Sequence, residues 1–158
     1  MQIFEILTAL SHLSLQCELP LHFSQSRLLT DYYNLIKEFG GEQHSRHDHH
    51  DGGWKAIGLI TSGGDVYTDK LIPGKPFLET PAMGMCPYIK EILTKLPGSK
   101  RRVRLMFLEP GSVIKWHRDK TDTLDGAISS RFYITIITKF KIVFIILKNI
   151  LLMQIYEF

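Results

Sequence analysis

The sequence predicts a mainly β domain with flanking helices, arranged as a double-stranded β-helix, the jelly-roll barrel, in incomplete form. Three observations carry that expectation. Two stretches, 24–39 and 87–96, repeat apolar side chains at three- and four-residue steps. Short apolar strands separated by turn residues follow between Val103 and Ile137. One of those strands ends in a His-x-Asp pair, His117 and Asp119. Two helices followed by closely spaced strands, one of them bearing a metal pair, fit a jelly roll.

A chain of 158 residues has room for one domain with a single core. Residues 1–138 are expected to form it, with 139–158 as an atypical apolar tail. Apolar residues at 44% and charged residues at 22% are ordinary for a globular protein. The net charge of +3 is too small to argue for nucleic acid, and no basic pattern with interleaved aromatics is present. The two cysteines, Cys17 and Cys86, make no disulfide framework and read as free buried thiols in a reducing, cytoplasmic setting. The N-terminus lacks a basic leader and carries Glu5, which argues against a signal peptide. No membrane span is expected, since Lys141, Lys148 and Glu157 interrupt the apolar tail.

In chain order, residues 1–23 suggest a short leading strand. Ser24 or Ser26 suits a helix N-cap, and Leu28, Tyr32, Leu35, Ile36 and Phe39 form an apolar stripe that stops at Gly40-Gly41. The polar stretch from Glu42 to Gly53, with His44, His47, His49 and His50, reads as a loop. It is open whether that loop is a lid or substrate loop, a mobile solvated loop, or the source of a further metal ligand. Trp54–Ile60 reads as a strand, 61–65 as a tight turn and Val66–Thr68 as the returning strand. Prolines at 73, 76, 81 and 87 make 69–87 an ordered surface loop. Pro87 suits the first turn of a second helix, with Tyr88, Ile89, Ile92, Leu93 and Leu96 on one face and Pro97-Gly98 as its stop.

The basic cluster 100–104 divides in two. Lys100 and Arg101 read as a solvated face, whereas Arg102 and Arg104 begin the strand Val103–Leu108 and share one of its faces. Either guanidinium suits bidentate pairing with a carboxylate. Glu109-Pro110-Gly111 is turn chemistry, and Ser112–His117 alternates as a second strand. Side chains two apart on a strand share a face, so His117 and Asp119 can offer a nitrogen and an oxygen to one metal ion. That donor set, with positions left open, suits Fe(II). The spacing by itself is weak, because His49-His50-Asp51 repeats it. Arg131 then opens the apolar strand Phe132–Ile137.

The segment 103–134 resembles the aspartyl/asparaginyl β-hydroxylase family of Fe(II)- and 2-oxoglutarate-dependent dioxygenases. Pro110-Gly111 matches the turn before the first ligand, and His117 the proximal metal His. Asp119 is similar to the carboxylate of the branch that includes free-proline hydroxylases. Arg131 fits the first position of an Arg-x-His, with Tyr133 standing where the His would be, and Arg104 fits an Arg on the strand before the turn. Gly53–Leu59 resembles the family's Trp-led strand. The resemblance implies Fe(II) and 2-oxoglutarate as cofactors, with His117 and Asp119 as metal ligands. It further implies Arg131, Tyr133 and Arg104 at the cosubstrate, Trp54 and Arg102 at the substrate, and hydroxylation of an amino-acid or peptidyl side chain with O2. The family's distal His and a following Arg have no counterpart after Arg131, so the expectation is that family sequence stops near Thr138 and the tail is a truncated or misread end. The alternatives are a non-catalytic fragment and a cupin-like module that binds a metal or small molecule.

Overall fold

The computed structural model describes residues 21–40, 42–43, 49–68, 70–115, 132–137 and 153–157. Helix α1 spans Gln25–Phe39, with Ser24 in extended backbone accepting from the Arg27 N–H as its N-cap. It ends where Gly40 takes a left-handed φ of 66°, a conformation that costs glycine little. Its stripe of Leu28, Tyr32 and Leu35 is buried, as the periodicity requires. Strand β1, Glu42–Gln43, is short and lies against β2, Trp54–Ser62. Strand β3, Phe77–Glu79, a 3-10 helix over Pro81–Met85 and helix α2, Pro87–Lys95, follow. The remaining strands are β4, Val103–Leu108, β5, Phe132–Ile137, and β6, Met153–Glu157.

Among the described residues these strands form one sheet in the order β1-β2-β4-β6-β5, with β3 also paired to β2. The pairs of β2 with β1, β3 and β4 are antiparallel, while β6 runs parallel to β4 and β5. Both helices pack on one face. There Leu35, Ile89 and Ile92 meet Ile57, Leu59, Val103, Leu105, Ile134 and Ile136 in the main core.

The two helices are tied by a buried carboxylate. Asp31 of α1 is 2% exposed and accepts the Ile89 N–H at 2.8 Å, at the first turn of α2. The α2 N-cap residue, Cys86, makes no side-chain cap, so Asp31 satisfies an orphan donor from another helix. Burial lifts the Asp31 carboxyl above its usual range, opposed by the N–H groups of Ile89 and Tyr88 and the nearby Arg27 charge. Burial also pushes the Cys86 thiol up to about 12, helped by the charge of Asp31. Cys86 is thus a free, buried and inert thiol, while Cys17 lies outside the described residues.

Four expectations need correction. Val66–Thr68 is not the strand returning on β2, because Asp65 caps Tyr67 and turns the chain; the partner is Phe77–Glu79. The loop 69–87 therefore contains a strand and a 3-10 helix. Lys100 is half-buried, not solvated: its Nζ donates to the carbonyls of Leu96 and Gly98, each at 2.6 Å, where α2 ends. Ser112–Lys115 joins no extended ladder among the described residues; its pairing is a single bridge, Ile114 to His50. A sheet with two helices on one face is thus the observed architecture.

Candidate functional site

The face of the sheet away from the helices carries the features that the sequence marks as functional. Register puts Trp54 opposite Leu108, Ala56 opposite Met106 and Gly58 opposite Arg104. Alternation then places Arg104, Met106 and Leu108 on this face and Val103, Leu105 and Phe107 on the helix side. At its apolar end Trp54, Ala56 and Met106 form a second small core, joined by Leu108 and Ile114. The His50 ring meets Trp54 edge-on, 5.8 Å between centroids.

Two segments distant in sequence close over that apolar end. The Asp51 carboxylate accepts the Val113 N–H at 2.9 Å and the Gly53 N–H at 3.5 Å. Desolvation raises its pKa, but these N–H donors and the Ser112 side chain outweigh it and hold Asp51 below the usual carboxylate range. The Lys115 N–H donates to the His49 carbonyl at 2.7 Å, and the Glu109 N–H to the Gly53 carbonyl at 2.9 Å. Lys55 and Glu109 add an ion pair across the same junction. His50 is 3% exposed, and its Nδ1 accepts the Gly52 N–H at 2.9 Å, which in the neutral ring leaves the proton on Nε2. Residues 49–53 are therefore a clamp on 109–115, and for these residues the reading as a mobile solvated loop does not hold. The second His-x-Asp triplet is spent on this clamp: Asp51 serves backbone donors.

The opposite end of the face is cationic. A shallow surface depression, too slight to enclose a water molecule, is lined by Ile60, Thr61, Ser62, Thr68, Lys70, Arg102 and Arg104. Arg104 is buried, with its Nε shut off from solvent. Arg102 lies just before β4 with a left-handed φ of 48°, uncommon for a side chain of this size.

The structure thus brings Arg102 and Arg104 together and places Trp54 in the apolar core at the other end of the same face. By register Tyr133 of β5 lies in the row that runs through Gln154 of β6 to Arg104 and Gly58. His117, Asp119 and Arg131 lie outside the described residues, as do His44, His47 and Trp116. Among the described residues no three His, Cys, Asp or Glu side chains converge to hold a metal ion, so the fit of one rests on sequence positions alone. No helix among them is long and apolar enough to cross a membrane. Two groups escaped the sequence reading. Asp51 had a signal, since Asp before Gly-Gly marks a side-chain-capped turn. Lys70 had none, because its place depends on how a loop folds.

The chain matches the family model of the aspartyl/asparaginyl beta-hydroxylases over residues 22–147, well over half its length. No curated protein and no solved structure matches it.

Proposed function

The chain belongs to the aspartyl/asparaginyl beta-hydroxylase family, and from that premise we propose that it is a hydroxylase of the Fe(II)- and 2-oxoglutarate-dependent dioxygenase type. The family implies a peptidyl or amino-acid substrate. The observation that carries the proposal is the extent of the match, whose range includes the positions of the Pro110-Gly111 turn, His117, Asp119 and Arg131. The proposed architecture is the jelly roll, with the helix-free face of the sheet turned to the site.

In this reading His117 and Asp119 are the metal ligands, and O2 is the co-reactant. When bound, Fe(II) and 2-oxoglutarate supply the oxidising chemistry for hydroxylation of an unactivated C–H bond. The chain's own residues supply placement. Arg104, Arg131 and Tyr133 hold the cosubstrate, the Arg groups by charge-assisted pairing with a carboxylate. Arg102 lies toward the substrate, whereas Trp54, expected from the sequence beside it, is buried in the small core at the other end of the face and supports that face from within. The clamp of Asp51 on Val113 supports the reading, because it anchors the segment that precedes His117 in the sequence on a buried layer. Rigid support of the segment bearing the ligands is what a metal site requires.

Anaerobic titration of the purified chain with Fe(II) and 2-oxoglutarate tests this. The expected result is the weak visible charge-transfer band of the chelate, absent from His117→Ala. A folded sample with no band, or a band that persists in the variant, defeats the proposal.

A further inference from the structure

The strand between β4 and β5 comes from the far end of the chain. Met153–Glu157 runs parallel to both neighbours, so β4 and β5 are parallel to each other and stand one strand apart. Each residue of β6 has a partner on either side, as Ile155 does in Leu105 and Ile134. Among the described residues β5 pairs with no other strand. Take β6 away and a slot of about 10 Å is left between two unpaired edges, each a template for an incoming strand. The segment that fills it lies beyond 22–147, the range of the family match.

The connection from β5 to β6 meets a problem of handedness. Parallel neighbours need a crossover, here residues 138–152, and such crossovers are right-handed in almost every sheet. The phase of the β2–β4 ladder decides which face a right-handed one must cover. The Glu109 N–H donates to the Gly53 carbonyl, so by alternation Leu105 and Phe107 turn their N–H and C=O groups toward β2. The Gly58 N–H, opposite Arg104, points the other way to the Val66 carbonyl, just before a bulge shifts the register at Ile60. Leu105 has its side chain in the core under the helices. For L-residues, seen from the helix side with β4 running upward, β2 is then on the right, with β6 and β5 in turn on the left. A step from β5 to β6 goes rightward, and it is right-handed only if the connection passes over the helix face. That face is already taken at β5: Ile134 and Ile136 are buried with Leu28 and Leu35 of α1, and Gln25 Nε2 donates to the Ile136 carbonyl at 3.0 Å. Closure within one chain therefore needs either a left-handed crossover or a path outside the helix layer. The connection reaches roughly 50 Å when fully extended, and passing over a helix of about 10 Å diameter and back uses most of that.

A strand supplied by a second copy escapes the constraint, because its connection does not have to double back over its own sheet. We propose that Met153–Glu157 is exchanged between two copies of this chain, each filling the slot between β4 and β5 of the other. Exchange keeps every ladder partner of β6 and alters only the path of 138–152. The two connections then run side by side from copy to copy, where the wholly apolar run 142–147 of one can cover that of the other. Exchange also makes the site face composite. Gln154 stands by register between Arg104 and Tyr133, so each copy supplies one position in that row to the other.

The test combines sedimentation of the full chain with cross-linking at Thr135 and Tyr156, register partners on β5 and β6. Neighbouring strands lie about 5 Å apart, within reach of a disulfide. The parent is expected to sediment at twice the mass of one chain. The oxidised double variant Thr135→Cys/Tyr156→Cys should run on a non-reducing gel as a covalent dimer that neither single variant forms. Ile155→Pro removes a ladder N–H from an interior strand and should convert the dimer to monomer. A monomeric parent overturns the exchange whatever the variants do. A dimeric parent whose double variant closes its disulfide within one chain, or forms none, overturns it as well.

Discussion

Gly53→Ala is the sharpest probe of the clamp between 49–53 and 109–115. A Cβ at Gly53 would sit 1.7 Å from Ser112 Oγ, 2.5 Å from Ser112 Cβ and 3.2 Å from Glu109 Cβ. Rotating Ser112 moves its Oγ away, but its Cβ is fixed by the backbone, so the two segments must separate. Separation strains the Glu109 N–H to Gly53 carbonyl bond and the Val113 N–H to Asp51 bond. Overpacking of this kind costs about 1–3 kcal/mol. The loss of chain freedom in the unfolded state returns roughly 0.5 kcal/mol of that. The net expectation is a loss of about 1.5 kcal/mol, or about 5 °C in Tm for a chain of this size. The assay is urea and thermal unfolding of Gly53→Ala, Ser112→Gly and the double variant. Ser112→Gly removes both close atoms, so the cycle should show a favourable coupling of about 1 kcal/mol. Additive effects, or a Gly53→Ala protein as stable as the parent, would refute the packing argument.

Two further substitutions probe what holds the site's frame. Asp31→Ala strips the acceptor from the first turn of α2 and should cost about 2 kcal/mol in urea unfolding, with Asp31→Asn costing less because its amide oxygen still accepts the Ile89 N–H. Since burial raises the Asp31 carboxyl, its ionised form is penalised at neutral pH, and protonation relieves that penalty as pH falls through the folded value toward the usual 3.8. The stability of the parent relative to Asp31→Asn should therefore rise as pH is lowered from neutral; a fall would show that the N–H donors dominate instead. Asp51 and Glu91, held below their usual values, act oppositely, and their support is lost only as pH drops through their folded values. Gly58→Ala should destabilise by about 2 kcal/mol or more, because one clashing atom is the Val66 backbone carbonyl, which cannot rotate aside. Thermal unfolding reads this directly, and a Tm unchanged from the parent would contradict the bulge geometry.

Local chemistry was legible in the sequence wherever one segment decides its own structure. The stripe Leu28, Tyr32, Leu35 with Ser24 before it and Gly40 after it specifies α1, because capping and 3.6-residue periodicity act within the helix. The same holds for α2 behind Pro87, for Val103–Leu108 as β4 and for Phe132–Ile137 as β5. The residues on which the sequence resembles its family, Pro110-Gly111, His117, Asp119 and Arg131, form a linear pattern, and their positions lie within the range of the family match.

Only the tertiary structure decided which distant residues meet. Asp31 caps a helix 58 positions away, and Asp51 holds an N–H 62 positions away; no window of sequence contains both partners of either bond. Val66–Thr68 looks like a strand locally, yet a turn capped by Asp65 and a bulge at Gly58 take it out of the sheet and bring Lys70 to Arg104. Patterning and capping are properties of neighbouring residues, so the sequence alone determined the two helices, β2, β4, β5 and the family, whereas the places of β3 beside β2 and of β6 between β4 and β5 were decided by the sheet. The clamp and the cationic depression depend on strand register and loop closure, which are settled by the competition among long-range contacts once the whole chain has packed.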